Sequence, residues 1–205
     1  MQESILSLTH PTYLQINDGK RGVYYGADQE WYSQSWQRRA GCGPTTASNL
    51  VLYNLGKEKG TPAAGNKGQV IELMQQIWEY VTPTLMGVHL VSQFTNGLTA
   101  SLPTYTITGH VAGLSLPKAR NIRPPFTSVI DFIKESLMQD QPVAFLNLHH
   151  GAVQNLDSWH WVTIVALDAE QGMVQVYDGG KQWMINLALW YETTPRAGGF
   201  AVIQR

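Results

Sequence analysis

Three side chains in this sequence are of the types that together perform nucleophilic catalysis, namely Cys42, His160 and Asp178. A cysteine thiolate is a strong nucleophile, a histidine can take up the thiol proton, and a carboxylate can orient the imidazole that does so. The order along the chain is nucleophile, base and orienting group. Such a set predicts attack on a carbonyl carbon with a covalent thioester intermediate.

Cys42 lies between two glycines and two residues before Pro44, at the predicted start of a helix that ends at Gly56. The free N–H groups and the positive dipole end of a helix N-terminus favour a thiolate. The N–H of Cys42 is then one expected donor of an oxyanion hole. The alternative is a buried, unreactive thiol, which is what most single cysteines are.

His160 is expected at the start of a strand over residues 160–167, and Asp178 directly after a strand over residues 173–177. A loop over residues 168–172 joins the two strands as a hairpin. The second strand therefore returns beside the first and brings Asp178 close to His160. A carboxylate there accepts from an imidazole N–H and fixes the tautomer. For each residue considered alone, the alternative is a structural role. His160 would be a hydrogen-bonded core histidine, and Asp178 would be a turn aspartate.

The elements around these residues change character along the chain. Predicted helices cover residues 43–56, 69–80 and 128–139, and predicted strands cover residues 105–108, 143–148, 160–167, 173–177, 183–185 and 200–203. Helices followed by an antiparallel sheet indicate an α+β fold. We expect one domain over residues 1–205, with a helical lobe of about 24–140 and a β lobe of about 141–205 meeting at a cleft.

Composition excludes several classes of function. The 205 residues have a net charge of −1, so no basic surplus indicates binding to nucleic acid or to an anionic membrane. No apolar stretch approaches a membrane span and no secretory signal is visible, so a cytoplasmic protein is expected. The single cysteine excludes an intramolecular disulfide and argues against a cysteine-ligated zinc site.

His149 and His150 are the main candidates for a metal site. On a strand, adjacent side chains point to opposite faces, so these two imidazoles are not expected to hold one ion together. No acidic or cysteine cluster accompanies them. We therefore expect no metal and no other cofactor.

The segment Gly41–Thr46, the upstream aromatic and glutamine residues, His160-Trp161-Val162 and Tyr177-Asp178 resemble papain-like peptidases of the type that process bacteriocin leaders. The closer resemblance is to the bacterial peptidase C39-like group. It covers residue 24 to about residue 54 and residues 142–203, and the middle of the chain is unmatched. The resemblance implies a papain-like fold, thiol-dependent cleavage of a peptide or small amide substrate, no metal, and the three roles given above.

The resemblance also implies a glutamine side chain in the oxyanion hole, shortly before the cysteine. The papain-like spacing of six residues falls on Trp36, so this sequence departs from that pattern. Gln29 and Gln34 are the favoured candidates, and Gln37 is a third. For each of the three, the alternative is an ordinary surface glutamine without a role in the oxyanion hole.

Other functions use the same residues. A Cys-His-Asp triad also supports acyl transfer, as in transglutaminase-like enzymes, which form a conjugate with an amine or thiol acceptor. A second alternative is a papain-fold binding module without turnover, and a third is a redox sensor based on Cys42. The oligomeric state is left open.

Overall fold

In the computed structural model, which describes residues 5–19 and 22–204, helices pack on an antiparallel sheet. The helices are α1 (Ser35–Ala40), α2 (Cys42–Lys59), α3 (Lys67–Trp78), α4 (Val91–Ser101), α5 (Phe126–Met138) and α6 (Leu187–Thr193). The strands are β1 (Leu6–Ser7), β2 (Gln15–Asn17), β3 (Val23–Tyr25), β4 (His110–Leu116), β5 (Val143–Asn147), β6 (His160–Asp168), β7 (Met173–Asp178), β8 (Lys181–Asn186) and β9 (Gly198–Gln204). This mixture confirms the predicted α+β class.

The main sheet has the strand order β4-β9-β5-β6-β7-β8, and β1 pairs with the later part of β6. Each of these pairings is antiparallel. β2 and β3 form a separate hairpin. Because β4 lies within residues 24–140, the sheet takes a strand from the part of the chain that was expected to form the helical lobe.

The middle of the chain differs most from the sequence predictions. The predicted strand over residues 105–108 is wrong, because Leu102–Tyr105 forms a 3-10 helix. Helix α4 and strand β4 were not predicted. Gly97 lowers the helix propensity of α4, yet it lies directly against the backbone of Tyr80, where a larger residue has no room. Strand β4 is only partly buried, which weakens its hydrophobic alternation.

Helix α2 is the central helix, and it is buried along most of its length. It continues past the predicted stop at Gly56 and ends at Gly60, whose φ of 67° is the left-handed conformation of a helix C-cap. The prediction for Gly56 is therefore wrong. The missing side chain of Gly56 allows close packing instead, because a Cβ atom at this position would lie 2.8 Å from Cγ of Tyr13.

Replacing Gly56 by Ala tests this packing. Alanine normally stabilises an exposed helix interior relative to glycine. Here we expect the free energy of unfolding to fall by about 1–3 kcal/mol, because the added methyl group overpacks the contact with Tyr13. Denaturant unfolding monitored by circular dichroism measures the change. An increase in stability would show that this contact relaxes without cost.

The sheet and α2 together determine where the three candidate catalytic residues lie. Helix α2 packs against β6, with Cys42 at the start of the helix and His160 at the start of the strand. The predicted hairpin is present, since Asp168 pairs with Met173 where β6 turns into β7.

As for a membrane segment, no helix in the described ranges combines the length and the apolar character that crossing a bilayer requires.

Candidate active site

The pairing of β6 with β7 brings His160 and Asp178 together. Thr163 is opposite Tyr177, and one further step in this register places Asp178 opposite Val162. His160 is two residues from Val162 and points to the same face of the sheet. Nε2 of His160 lies 2.8 Å from Oδ1 of Asp178, with side chains 14% and 15% exposed. This hydrogen bond orients the imidazole and occupies Nε2, so Nδ1 is the ring nitrogen left for another group.

Cys42 approaches the same imidazole from the start of α2. Its partly exposed side chain lines the same small cavity as His160 and is one of the two groups that raise the pKa of that imidazole. The first turn of α2 follows Gly41, whose carbonyl accepts from the N–H of Thr45 at 2.9 Å. The N–H of Cys42 precedes that turn and belongs to the donors that a helix leaves without an intrahelical partner. Thiol, imidazole and carboxylate thus meet at one cavity.

The surroundings of His160 favour its protonated form. Burial lowers the pKa of this imidazole, because desolvation penalises the charged ring. The hydrogen bonds and the negative charges of Asp178 and Cys42 act in the opposite direction and outweigh the burial, so that the pKa of His160 rises from 6.5 to about 10. At neutral pH these effects together favour the imidazolium form of the ring.

A small cavity of about 10 Å³ lies among these side chains, enough for about one water molecule. Its lining includes Gln29, Cys42, Thr45, Asn49, His160 and Asp178. Two of these residues, Thr45 and Asn49, were not identified from the sequence. The sequence does contain a pattern that indicates them, because Cys42, Thr45 and Asn49 follow the i, i+3, i+7 spacing of one helix face. That face is polar in a buried helix.

Asn49 joins the three parts of the chain that meet at this cavity. The Asn49 side chain is 2% exposed, accepts from the N–H of Ala27 at 2.8 Å, and donates to Oγ1 of Thr163 at 3.0 Å. Ala27 comes two residues before Gln29, and Thr163 belongs to the strand that carries His160. Asn49 therefore holds the Gln29 segment against both α2 and β6.

Replacing Asn49 by Ala leaves the N–H of Ala27 and the hydroxyl of Thr163 without this buried partner. We expect a loss of about 1–3 kcal/mol in the free energy of unfolding. Urea unfolding followed by tryptophan fluorescence measures it. Asn96→Ala, at a more exposed position of α4, serves as the control for the chemical change. Equal stabilities of the two variants would contradict this role for Asn49.

The structure separates the glutamine candidates. Gln29 lines the small cavity, and its Nε2 donates to the carbonyl of Arg38 at 2.7 Å, which anchors it to the turn before Cys42. Gln34 is exposed at the N-cap of α1 and is not among the residues that line this cavity. Nε2 of Gln37 donates to Gln75 at 2.9 Å. Of the three, Gln29 is the one placed beside Cys42.

Beside Cys42, on the surface, lies an open groove of about 450 Å³. We call it the tryptophan groove, since Trp36 and Trp159 line it together with Leu85, Met86, Arg39 and Arg196. The residues come from four separate segments of the chain, so no local pattern in the sequence indicated the groove. A substrate that reaches the thiol from solvent would lie along it.

The two adjacent histidines differ from the prediction. β5 ends at Asn147, so His149 and His150 follow the strand, and their rings stack at 5.0 Å rather than point to opposite faces. The prediction of opposite faces is therefore wrong. Nδ1 of His150 is buried and has no hydrogen-bond partner among the residues that the structure describes. Within the described ranges, His, Cys, Asp and Glu side chains form no group of three or more that could hold a metal ion.

Comparisons with solved structures yield a remote similarity. No protein-family model matches the chain, and no curated protein matches it. The crystal structure of the Pseudomonas avirulence protein AvrPphB is similar over 80% of this chain and 91% of that chain, with a TM-score of 0.39 and 10% sequence identity. At this TM-score and identity, the similarity assigns neither a family nor an activity. Membership of the peptidase C39-like group stays a prediction.

Proposed function

We propose that this protein is a papain-like cysteine hydrolase that cleaves a peptide or small amide bond. The observation that carries the proposal is that Cys42, His160 and Asp178 line one small cavity, in which His160 is hydrogen-bonded to Asp178. The imidazole is hydrogen-bonded to a carboxylate at Nε2, and the thiol lies at the same cavity. This is the arrangement that activates a nucleophile and fixes the orientation of its base.

In the first half of the reaction, the Cys42 thiolate attacks the carbonyl carbon of the scissile bond and forms a C–S bond. His160, which holds the former thiol proton, then donates a proton to the leaving nitrogen as the C–N bond breaks. The products are a free amine and a thioester on Cys42. Asp178 accepts from Nε2 of His160 throughout and stabilises the imidazolium.

In the second half, a water molecule attacks the thioester carbonyl. His160 takes one proton from that water, the C–S bond breaks, and the sulfur leaves as a thiolate beside the imidazolium. The acyl group departs as a carboxylic acid, which releases its remaining proton to solvent. The enzyme returns to its starting protonation state without a cofactor, an oxidant or a reductant.

Negative charge on the carbonyl oxygen needs donors beside Cys42. The N–H of Cys42 is one, at the beginning of α2. Nε2 of Gln29 is the other donor that we assign, because Gln29 lines the cavity with Cys42 and its amide has a second N–H besides the one that donates to Arg38. A donor held in place before the reaction stabilises the oxyanion without further reorganisation.

The proposal is tested by incubating the protein with a peptide mixture of broad sequence in H₂¹⁸O. Hydrolysis predicts new C-terminal carboxylates that carry one ¹⁸O atom, identified by mass spectrometry. Protein alkylated beforehand at Cys42 supplies the background. Because Cys42 is the single cysteine, that treatment blocks one defined thiol.

The same experiment separates the other functions if an amine acceptor such as glycinamide is added. Conjugates that lack ¹⁸O would assign acyl transfer in place of hydrolysis. Absence of both products across the mixture would contradict an enzymatic role and favour a binding module of the same fold.

A further inference from the structure

The tryptophan groove has an apolar wall that is open to solvent. Trp36 and Trp159 are 38% and 36% exposed, and Met86 is 53% exposed. Leu85, at the rim, is 94% exposed. Exposed aromatic and aliphatic side chains gathered at one groove are a common feature of binding sites. Because Cys42 also lines this groove, a molecule bound here would have a part within reach of the thiol.

The backbone of Trp159 is strained, and its surroundings hold it in place. Its φ of 60° lies in the left-handed region, which bulky residues rarely adopt. The indole Nε1 donates to the carbonyl of Met86 at 2.8 Å, and the ring stacks on His89 at 6.5 Å. Strain of this kind persists where surrounding contacts impose it, and it is concentrated at functional sites. The indole is thus a preformed wall of the groove.

Two arginines give the groove a positive charge. Arg39 lines it, and the guanidinium of Arg196 lies 5.6 Å from the Trp159 ring centroid. Among the described residues, the ion pairs within 4.0 Å do not include either arginine. Both side chains are exposed, so neither charge is neutralised by a direct carboxylate contact in this part of the chain.

The positive surface extends past Arg196. A second cavity of about 410 Å³ shares this residue and is also lined by Lys118 and Leu148. Lys118 is exposed, and it too is absent from the ion pairs of the described ranges. Basic and apolar side chains therefore line both cavities, and Arg196 belongs to each of them. An occupant that matches them carries acidic groups on either side of an apolar one.

We propose that the tryptophan groove binds a peptide segment in which a bulky apolar side chain is flanked by acidic residues. The apolar side chain packs between the two tryptophans, and the flanking carboxylates pair with Arg39 and Arg196. This assignment of a substrate class rests on the proposed function. The bound segment lies next to the bond that Cys42 attacks. Arginine suits this task because its planar guanidinium binds a carboxylate at two points.

The test measures binding without turnover, using Cys42→Ala protein and three fluorescein-labelled octapeptides at low ionic strength. The first carries a central Phe with Asp and Glu on both sides. The second replaces the Phe by Gly, and the third replaces the acidic residues by Lys. Fluorescence anisotropy should show the first peptide binding at least about tenfold more tightly than either of the others, with an affinity that falls as salt is added.

Substitutions in the groove identify the residues responsible. Arg39→Gln and Arg196→Gln should each weaken the first peptide by about fivefold, the upper range for an exposed charge pair. Lys134→Gln, which removes an exposed positive charge on α5, is the matched control and should leave affinity unchanged. Trp36→Ala should weaken the Phe peptide and leave the Gly peptide unaffected.

Equal binding of the acidic and basic peptides, or equal effects of the Arg39, Arg196 and Lys134 substitutions, would overturn the inference. Hydrolysis without any preference for acidic peptides would overturn it too and leave the proposed function standing. Selective binding by the Cys42→Ala protein, with no hydrolysis by the wild type, would support the groove and contradict the proposed function.

Discussion

Peptide-bond hydrolysis is expected to fall by about 10³-fold when His160 is replaced by Gln, since general acid and base catalysis by one side chain contributes about 10²–10⁴-fold. Glutamine retains an N–H that can donate to Asp178, so the carboxylate keeps a partner. It cannot take up the thiol proton or pass one to the leaving amine. The loss should therefore appear in kcat, while the affinity for an acidic peptide in the tryptophan groove stays unchanged.

The same variant should change the reactivity of the thiol. Iodoacetamide reacts with thiolates, and the added mass reports Cys42 alone because the chain has one cysteine. We expect the wild type to alkylate rapidly at pH 6, as a thiolate beside an imidazolium does. The His160→Gln protein should react at least about tenfold more slowly at that pH and approach the wild-type rate above about pH 8.5, where an ordinary thiol ionises.

His110→Gln is the matched control, since His110 is exposed on the edge strand β4 and undergoes the same chemical change. It should alkylate and hydrolyse as the wild type does. Labelling that rises only near pH 8.5 in all three proteins would contradict the triad. Cys42 would then be a structural cysteine.

Asp178→Asn is expected to have the second large effect, a fall in hydrolysis of about 10²–10⁴-fold together with a shifted pH profile. The amide keeps the size of the side chain and removes its negative charge. Asp178 is one of the two groups that raise the pKa of His160 to about 10 against the opposing effect of burial. Without that charge, the imidazole loses its proton at lower pH.

The direction of the shift follows from the role of the proton. His160 must be protonated to release the amine, so activity falls on the alkaline side as pH passes the pKa of His160. In Asp178→Asn that alkaline limb should move to lower pH by roughly one to three units, the usual effect of one adjacent opposite charge. Asp131→Asn, an exposed change on α5, is the control and should keep the wild-type profile.

Stability should depend on pH in the corresponding way. His160 has a folded pKa above its ordinary 6.5, so the folded state binds the proton more tightly than the unfolded state. The resulting stabilisation is fully present below about pH 6.5 and is lost as pH rises through about 10. The excess stability of the wild type over Asp178→Asn, measured by urea unfolding, should therefore shrink across that interval. A constant or growing excess would contradict a protonated His160.

The sequence by itself predicted the features that depend on neighbouring residues. Helical spacing and Pro44 indicated a helix at Cys42, and the structure has α2 beginning at that residue. The short loop before Met173 indicated a hairpin, and its register brings Asp178 beside His160. Periodicity and hairpin pairing are short-range properties, because they arise from backbone hydrogen bonds over a few residues. The catalytic roles assigned to these residues stay predictions.

Only the tertiary structure decided which distant segments meet. Gln29 and Gln34 have similar local sequence contexts, and burial of Asn49 against Ala27 is what draws the Gln29 segment to the cavity. Helix α4 and strand β4 form because packing compensates for weak local propensities. The tryptophan groove likewise joins four segments far apart in the chain. Such contacts are determined by shared burial of side chains, which no local pattern in the sequence records.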